Sequence, residues 1–114
     1  MEIPDLTGPF KLTASNISIR IRQGTLGAYV LGPMRSDGHL TVKFIGRSDD
    51  DLAGKLREHN AKYDAFGFAR ALSPLEAFRI ECALYHHFEP ADNPSHPQRA
   101  PGTDWNCPVC KEPS

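Results

Sequence analysis

Leu26-Gly-Ala-Tyr-Val-Leu31 and Leu40-Thr-Val-Lys-Phe-Ile45 are two short apolar runs, and the loop between them contains the pair Asp37-Gly38. Both runs are rich in β-branched and aromatic residues, which is typical of strands. An Asp-Gly pair favours the positive φ angles of tight turns. The sequence therefore predicts an antiparallel hairpin over residues 26–45.

The segments after this hairpin give helix and strand signals in turn. Ser48-Asp-Asp-Asp51 combines a hydroxyl N-cap with acidic residues in the first turn, and predicts a helix to about residue 60. Residues 64–71 alternate aromatic and small side chains and predict a third strand. Ser73-Pro-Leu-Glu76 joins a capping box to a proline, so a second helix is predicted as far as Phe88. The order β-β-α-β-α predicts a small α/β domain with a three-stranded mixed or antiparallel sheet flanked by helices.

The two ends of the chain differ from this central part. Residues 1–24 are predicted to be an N-terminal extension, in which Ile17, Ile19 and Ile21 alternate with polar residues and suit a short strand. Six of the ten prolines lie in residues 89–114, which predicts an irregular segment there. We therefore divide the chain into an extension (1–24), a domain that carries the site (25–94) and a C-terminal tail (95–114).

Length and composition limit the classes of protein. At 114 residues the chain is one small domain, and its three cysteines do not make the disulfide framework of a secreted protein. It has neither an apolar run that could span a bilayer nor a signal-peptide pattern, so a cytoplasmic protein is expected. Thirteen Lys and Arg stand against 14 Asp and Glu, which argues against broad, unspecific DNA coating but leaves room for a local basic cleft.

Glu81 is a carboxylate on an otherwise apolar face of the second predicted helix. At about 100° per residue it falls in the arc of Ala77, Phe78 and Leu84, opposite Arg79. A charge in such a position is costly unless it is paired or bound to a cation. Two interpretations stay open: a salt bridge to an arginine at the core edge, or metal ligation.

Four other side chains have an ordinary and a functional interpretation. Lys55 and His59 lie four residues apart on the first predicted helix, where they form either a solvated flank or a joint phosphate contact. Tyr29, on the first strand, would pack in the core of most proteins. Asn93 follows the second helix and would pass as a turn residue.

Taken together, residues 27–93 resemble the GIY-YIG nuclease family. Gly27-Ala28-Tyr29 stands in the position of the first family tripeptide, and Phe44-Ile45-Gly46 in that of the second. The helix-opening residues 47–52 fit the family pattern between the second tripeptide and the helix. The family's helix arginine, histidine, metal-binding glutamate and closing asparagine align with Lys55, His59, Glu81 and Asn93.

The resemblance implies a metal-dependent DNA endonuclease that hydrolyses a phosphodiester bond with one ion. Glu81 would hold Mg²⁺ or Mn²⁺, a hard cation suited to oxygen ligands. Tyr29 would accept the proton of the attacking water or orient that water. Lys55 and His59 would stabilise the phosphate, and Asn93 would brace the site.

Two departures from the family lead to an alternative function. Phe44 lacks the hydroxyl of the second family tyrosine, and Lys55 lacks the bidentate fork of arginine. Arg47 is a possible substitute for that arginine, whereas Arg57 points about 100° away from the required position. Phe44, Arg47 and Arg57 are predicted to contact the substrate. The alternative is a catalytically impaired module that binds DNA or protein.

Cys107-x-x-Cys110 supplies two of the four ligands of a tetrahedral zinc site. The candidates for the remaining ligands are His86, His87, His96 and Cys82. The opposing interpretation is an exposed tail with two spare thiols. DNA is the expected partner, and because the chain is small, a partner subunit or a second copy is expected to share the DNA contacts.

Overall fold

The computed structural model describes residues 5–59 and 62–110 of the chain. Its elements are β1 (Thr7–Lys11), α1 (Ala14–Arg20), β2 (Leu26–Gly32), β3 (Phe44–Ser48), α2 (Leu52–Glu58), β4 (Ala65–Ala71) and α3 (Pro74–Phe88). The strands form one antiparallel sheet in the order β1-β4-β2-β3. The predicted α/β class is confirmed. The predicted three-stranded sheet is wrong, because β1 pairs with β4 and adds a fourth strand.

The sheet is covered by helices on both faces. Successive side chains of a strand point to opposite faces, and β2 is buried along almost its whole length. Tyr29 and Leu31 face the layer of α1 and α2, with Phe66 and Phe68 of β4. The alternate residues of these strands form a second apolar cluster with α3 on the opposite face: Ala28, Val30, Ile45, Ala69, Ala71, Ala77, Ile80 and Leu84.

The N-terminal segment is part of this core. Ile17 and Ile21 are buried with Leu12, whereas Ile19 is 70% exposed. The predicted short strand over Ile17–Ile21 is wrong, because residues 14–20 are helical and Thr13 caps the helix by accepting from the Asn16 amide. Over five residues an alternating pattern also contains the i, i+4 spacing of one helix face, which is the spacing that the core uses here.

The boundaries of β3 and α2 differ from the predicted ones. The second strand begins at Phe44 rather than Leu40, although Gly38 has the predicted positive φ, 86°. The helix begins at Leu52, and its N-cap is Asp51 rather than Ser48. The Ser48 hydroxyl accepts the amides of Asp50 and Asp51 in a turn that precedes the helix. An ST-turn competes locally with helix initiation, which moves the helix start three residues on.

The third helix follows the prediction. Ser73 is its N-cap and accepts from the Glu76 amide, while the Glu76 carboxylate accepts from the Leu72 amide. The irregular tail that follows turns back against this helix. Trp105 packs on Phe78 with ring centroids 5.6 Å apart. Cys107 is fully buried beside Phe78 and Cys82, so the tail belongs to the packed structure.

Gly27 allows β2 and β4 to approach closely. A Cβ atom at this position would overlap the backbone carbonyl oxygen of Ala69. Gly54 in α2 is different, because its Cβ would meet only the Asp51 carboxylate, the end of a flexible side chain, at 2.6 Å. Gly27 is therefore required by the close approach of two backbone segments, whereas Gly54 is not.

We expect Gly27→Ala to destabilise the protein by about 1–3 kcal/mol, because two central strands must separate to admit a methyl group. Gly54→Ala is the matched control, and should be neutral or stabilising by up to about 1 kcal/mol from helix propensity. Urea unfolding of both variants measures the difference. Equal stability of the two would contradict the close approach of β2 and β4.

Candidate functional site

An open cleft of about 950 Å³ runs beside β3, the edge strand nearest to α3. The cleft is lined by all five residues that the sequence predicts as catalytic: Tyr29, Lys55, His59, Glu81 and Asn93. Phe44 and Arg47 line it as well. Arg57 lies apart from it, because its exposed guanidinium donates to the Ser18 hydroxyl on α1 at 3.3 Å. The structure therefore assembles the predicted constellation without Arg57.

The Tyr29 ring reaches the cleft by lying across Gly46. These two residues are directly paired between β2 and β3, and a Cβ atom at Gly46 would overlap the tyrosine hydroxyl. The side chain is 2% exposed, and its hydroxyl oxygen lies 3.0 Å from Nε2 of His59. The glycine of the second tripeptide thus makes room for the aromatic residue of the first.

Tyr29 and His59 form a hydrogen-bonded pair in which the tyrosine keeps its proton. Burial raises the pKa of Tyr29, and the negative charges of Glu81 and Glu58 raise it further. Burial lowers the pKa of His59, and the positive charge of Lys62 adds to this effect. His59 is therefore neutral at neutral pH. In the tautomer with its proton on Nδ1, it accepts the hydroxyl proton of Tyr29 at Nε2.

Phe44 contributes an aromatic wall. Its ring is stacked parallel to Tyr29 at 6.4 Å and lies 5.1 Å from the His59 ring. Tyr63 meets Phe44 edge-on, but its hydroxyl donates to Asp92. Phe44 therefore orients the Tyr29–His59 pair by contact and offers no proton donor.

Glu81 forms a buried ion pair with Arg47. Its Oε1 accepts from Nη1 of Arg47 at 2.7 Å, and the two side chains are 9% and 12% exposed. Arg47 also donates from Nε to Asp49 at 2.9 Å and lies over the Phe78 ring. Burial raises the pKa of Glu81, while the hydrogen bond and charge of Arg47 oppose that shift. Of the two interpretations of Glu81, the salt bridge is the one observed.

Negative charge predominates among the ionisable side chains of the cleft. Two cations, Arg47 and Lys55, stand against five carboxylates: Asp49, Asp50, Asp51, Glu58 and Glu81. The sequence pattern places Asp49, Asp50 and Asp51 only at the start of a helix. In the structure all three also line the cleft. A polyanion in this cleft requires added positive charge, which a divalent cation supplies.

Asn93 joins the tail to the edge of the sheet. Its Oδ1 accepts from the Ile45 amide and its Nδ2 donates to the Ile45 carbonyl, both at 2.9 Å. The Asp92 amide donates to the Lys43 carbonyl at 2.9 Å, so two successive residues run along β3. The side-chain amide of Asn93 thus makes the two backbone hydrogen bonds at Ile45 that a neighbouring strand would otherwise make.

A second group of side chains lies at the tail end of the cleft and could hold a metal ion. The donor atoms of His86, His96, Cys107 and Cys110 all lie within 4.8 Å of one another. Nε2 of His96 is 3.2 Å from Nε2 of His86 and 3.5 Å from the Cys110 sulfur. His86 belongs to α3 and the other three residues belong to the tail. The group therefore links the tail to this helix.

The surroundings of this group favour ligation. Nδ1 of His96 lies 2.8 Å from the Pro97 carbonyl, which can only accept, so Nδ1 carries the proton and Nε2 presents a lone pair to the group. Burial would raise the pKa of the Cys107 thiol. The amides of Cys110 and Val109 and the side chains of His96 and Cys110 outweigh burial and lower this pKa to about 6. These hydrogen bonds favour the thiolate of Cys107, the form that binds a metal ion.

The structure selects two of the four ligand candidates that the sequence left open. His86 and His96 join the cysteine pair, whereas His87 is exposed and packs edge-on against Phe88. Cys82 is buried beside Cys107, and burial raises the pKa of its thiol. The sequence could not choose among these residues because the choice depends on where the tail crosses α3.

Comparison of the chain with protein-family profiles, curated proteins and solved structures finds no match. The resemblance to the GIY-YIG nucleases therefore rests on the residues quoted above and on their placement. Among residues 5–59 and 62–110, no helix has the length and apolar character needed to cross a membrane.

Replacing Arg47 should expose the cost of the buried Glu81 charge. We expect Arg47→Met to destabilise the protein by roughly 3 kcal/mol at pH 7.5, since the carboxylate loses its buried partner. Burial raises the folded-state pKa of Glu81 above its unfolded value. Stability is then lost as pH rises through the folded-state pKa, so the defect should shrink at pH 5.

Urea unfolding at the two pH values measures this effect. Arg79→Met, which removes an exposed arginine from α3, is the control and should be close to neutral at both. A defect in Arg47→Met that is absent, or equal at both pH values, would contradict the buried pair.

Proposed function

We propose that this protein is a metal-dependent DNA endonuclease that hydrolyses a phosphodiester bond in the cleft beside β3. The observation that supports it is the convergence of Tyr29, Lys55, His59, Glu81 and Asn93 on that one cleft. These residues come from β2, α2, α3 and the tail, up to 64 positions apart. A tyrosine hydroxyl, an imidazole and a carboxylate from distant parts of the chain thus line the same cleft.

In this proposal the Tyr29–His59 pair handles the proton of the attacking water. With His59 in the tautomer protonated on Nδ1, the Tyr29 hydroxyl donates to Nε2, and the tyrosine oxygen would take the proton of the water as its own proton moves to His59. Lys55 is exposed at the mouth of the cleft and would contact a phosphate oxygen. Asn93 keeps the backbone of β3 in place through its two bonds to Ile45.

Glu81 is the residue that would hold Mg²⁺ or Mn²⁺. One carboxylate in an open cleft suits a hard cation that keeps several waters. Such an ion supplies Lewis-acid stabilisation of charge on the phosphate. Since Arg47 now holds Oε1 of Glu81, cation binding and the ion pair compete for this carboxylate. Once released, the guanidinium of Arg47 offers the bidentate phosphate contact that Lys55 lacks.

A second candidate function is a module that binds DNA or protein without cleavage. The observation in its favour is the Arg47–Glu81 pair itself, with Asp49 as a further acceptor for the arginine. A carboxylate satisfied in this way needs no cation. Binding in this form would depend on Lys55 and on groups outside the cleft.

Cleavage of plasmid, flap and four-way-junction DNA in Mg²⁺ or Mn²⁺ tests the first proposal. We expect Glu81→Gln to lower the cleavage rate by about 100-fold or more, since electrostatic stabilisation of the reacting phosphate is lost. Tyr29→Phe should lower it by about 100-fold through loss of proton transfer. Glu89→Gln is the matched control, because Glu89 is exposed at the end of α3 and does not line the cleft. Its rate should change little.

The outcomes separate the two candidates. Folded wild-type protein that binds DNA and cleaves none of the substrates in either metal supports the binding module. Cleavage that persists unchanged in folded Glu81→Gln rules out the proposed mechanism.

For the His86/His96/Cys107/Cys110 group we propose Zn²⁺ as the ion. Its two imidazoles and two thiols are zinc ligands, and soft sulfur donors disfavour Mg²⁺. Zn–N bonds of about 2.0–2.1 Å and Zn–S bonds of about 2.3 Å place tetrahedral ligand atoms roughly 3.3–3.8 Å apart. The separations of 3.2 and 3.5 Å are close to that range, and all four donor atoms lie within 4.8 Å of one another. Four protein ligands leave no open position, so the proposed role is structural.

Metal analysis of the purified protein tests this assignment. We expect one zinc per chain, and loss of nearly all of it in His86→Ala and in Cys110→Ser because each removes a ligand. His87→Ala is the matched control on the next residue of α3 and should keep its zinc. Wild-type protein that neither contains zinc nor takes it up from solution would contradict the assignment.

A further inference from the structure

The tail segment 93–98 is shared between the cleft and the metal group. Asn93 and each residue from Pro94 to Gln98 line the cleft. His96, in the middle of this run, is also one of the four potential ligands. The wall of the cleft opposite α2 is therefore built from the same short stretch of chain that would carry the ion.

This segment is attached to the rest of the protein at two points. At one end the Asn93 side chain bonds to Ile45 on β3. Three residues later His96 meets His86 of α3 and Cys110. Pro94, Ser95 and Gln98 are exposed, whereas Pro97 is buried and the His96 ring contacts Tyr85, so packing holds only part of the segment. The attachment at His96 consists of contacts between potential metal ligands, and a bound ion would hold these ligands together.

The metal group also lies close to the carboxylate of the cleft. His86 follows Glu81 by five residues on α3, which corresponds to about 7.5 Å along the helix axis. His96 is also near enough to the Glu81 carboxylate to interact with it electrostatically. Loss of an ion from the group would thus reach both the wall and its electrostatic surroundings.

We propose that Zn²⁺ in the His86/His96/Cys107/Cys110 group fixes segment 93–98 as a wall of the cleft, so that the cleft takes its DNA-binding form only in the zinc-loaded protein. The claim that zinc is needed for DNA binding rests on the proposed function. The claim that zinc fixes segment 93–98 does not depend on it. Zinc here is a positioning element that touches neither the water nor the phosphate.

Hydrogen exchange compares the zinc-loaded chain with the same chain stripped by a chelator. Without zinc we expect exchange at the amides of segment 93–98 (Asn93, Ser95, His96 and Gln98, since proline has none) and at the Ile45 amide to accelerate by about 10-fold or more, because local opening becomes easier. Amides of β2 and β4 should keep their protection. The single tryptophan, Trp105, packs on Phe78 beside Cys107 and reports the change by its fluorescence. Zinc, but not Mg²⁺, should reverse both effects.

Cys110→Ser and His87→Ala repeat the comparison without a chelator. Cys110→Ser should resemble the stripped protein, and His87→Ala the loaded one. Unchanged exchange at 93–98 in the stripped protein would overturn the proposal. Loss of protection throughout β2 and β4 would also overturn it, because zinc would then hold the whole fold rather than the wall.

Anisotropy with a fluorescent DNA duplex, in Ca²⁺ so that cleavage is suppressed, tests the link to DNA. We expect the stripped protein to bind at least about 10-fold more weakly than the loaded one, equivalent to about 1.4 kcal/mol. If the loaded protein binds no DNA while exchange at 93–98 still responds to zinc, the proposed function fails and the wall stands. Equal DNA affinity with and without zinc would overturn the link to DNA alone.

Discussion

The ion pair between Arg47 and Glu81 is the interaction on which the functional face of this protein depends. Two charges with about a tenth of their side-chain surface exposed are stable only as partners. Asp49 and the Phe78 ring complete the surroundings of the guanidinium, so the arginine is held from three sides. The pair joins the edge strand β3 to α3 and places a carboxylate at the wall of an open cleft. A cation at Glu81 would therefore share this carboxylate with the arginine or displace it.

Local signals were sufficient for much of the fold. Ser73 and Pro74 marked the start of α3, and the apolar runs marked β2 and β4, because caps and periodicity act over a few residues. Signals that depend on distant partners failed. The strand β1 pairs with β4, more than fifty positions away, and its five residues carry little pattern of their own. The isoleucines at 17, 19 and 21 fit both the alternation of a strand and the i, i+4 spacing of a helix. Only packing against the core decides between these two structures.

The site shows the same division. A carboxylate on an apolar helix face identified Glu81 as unusual, but the sequence could not show that Arg47 is its partner, since β3 and α3 meet only in the folded chain. The cysteine spacing indicated half of a metal group, while the choice of His86 and His96 followed from the path of the tail. The role of Gly46 was equally hidden, because it depends on the ring that crosses it.

The contacts that tie Asp92 and Asn93 to β3 also limit how copies of this protein can associate. They occupy backbone groups on the outer side of that strand, where another chain could otherwise extend the sheet. At the opposite margin, β1 carries Pro9, which has no amide proton to offer to an incoming strand. Each margin therefore has a feature that opposes the addition of another strand at that point.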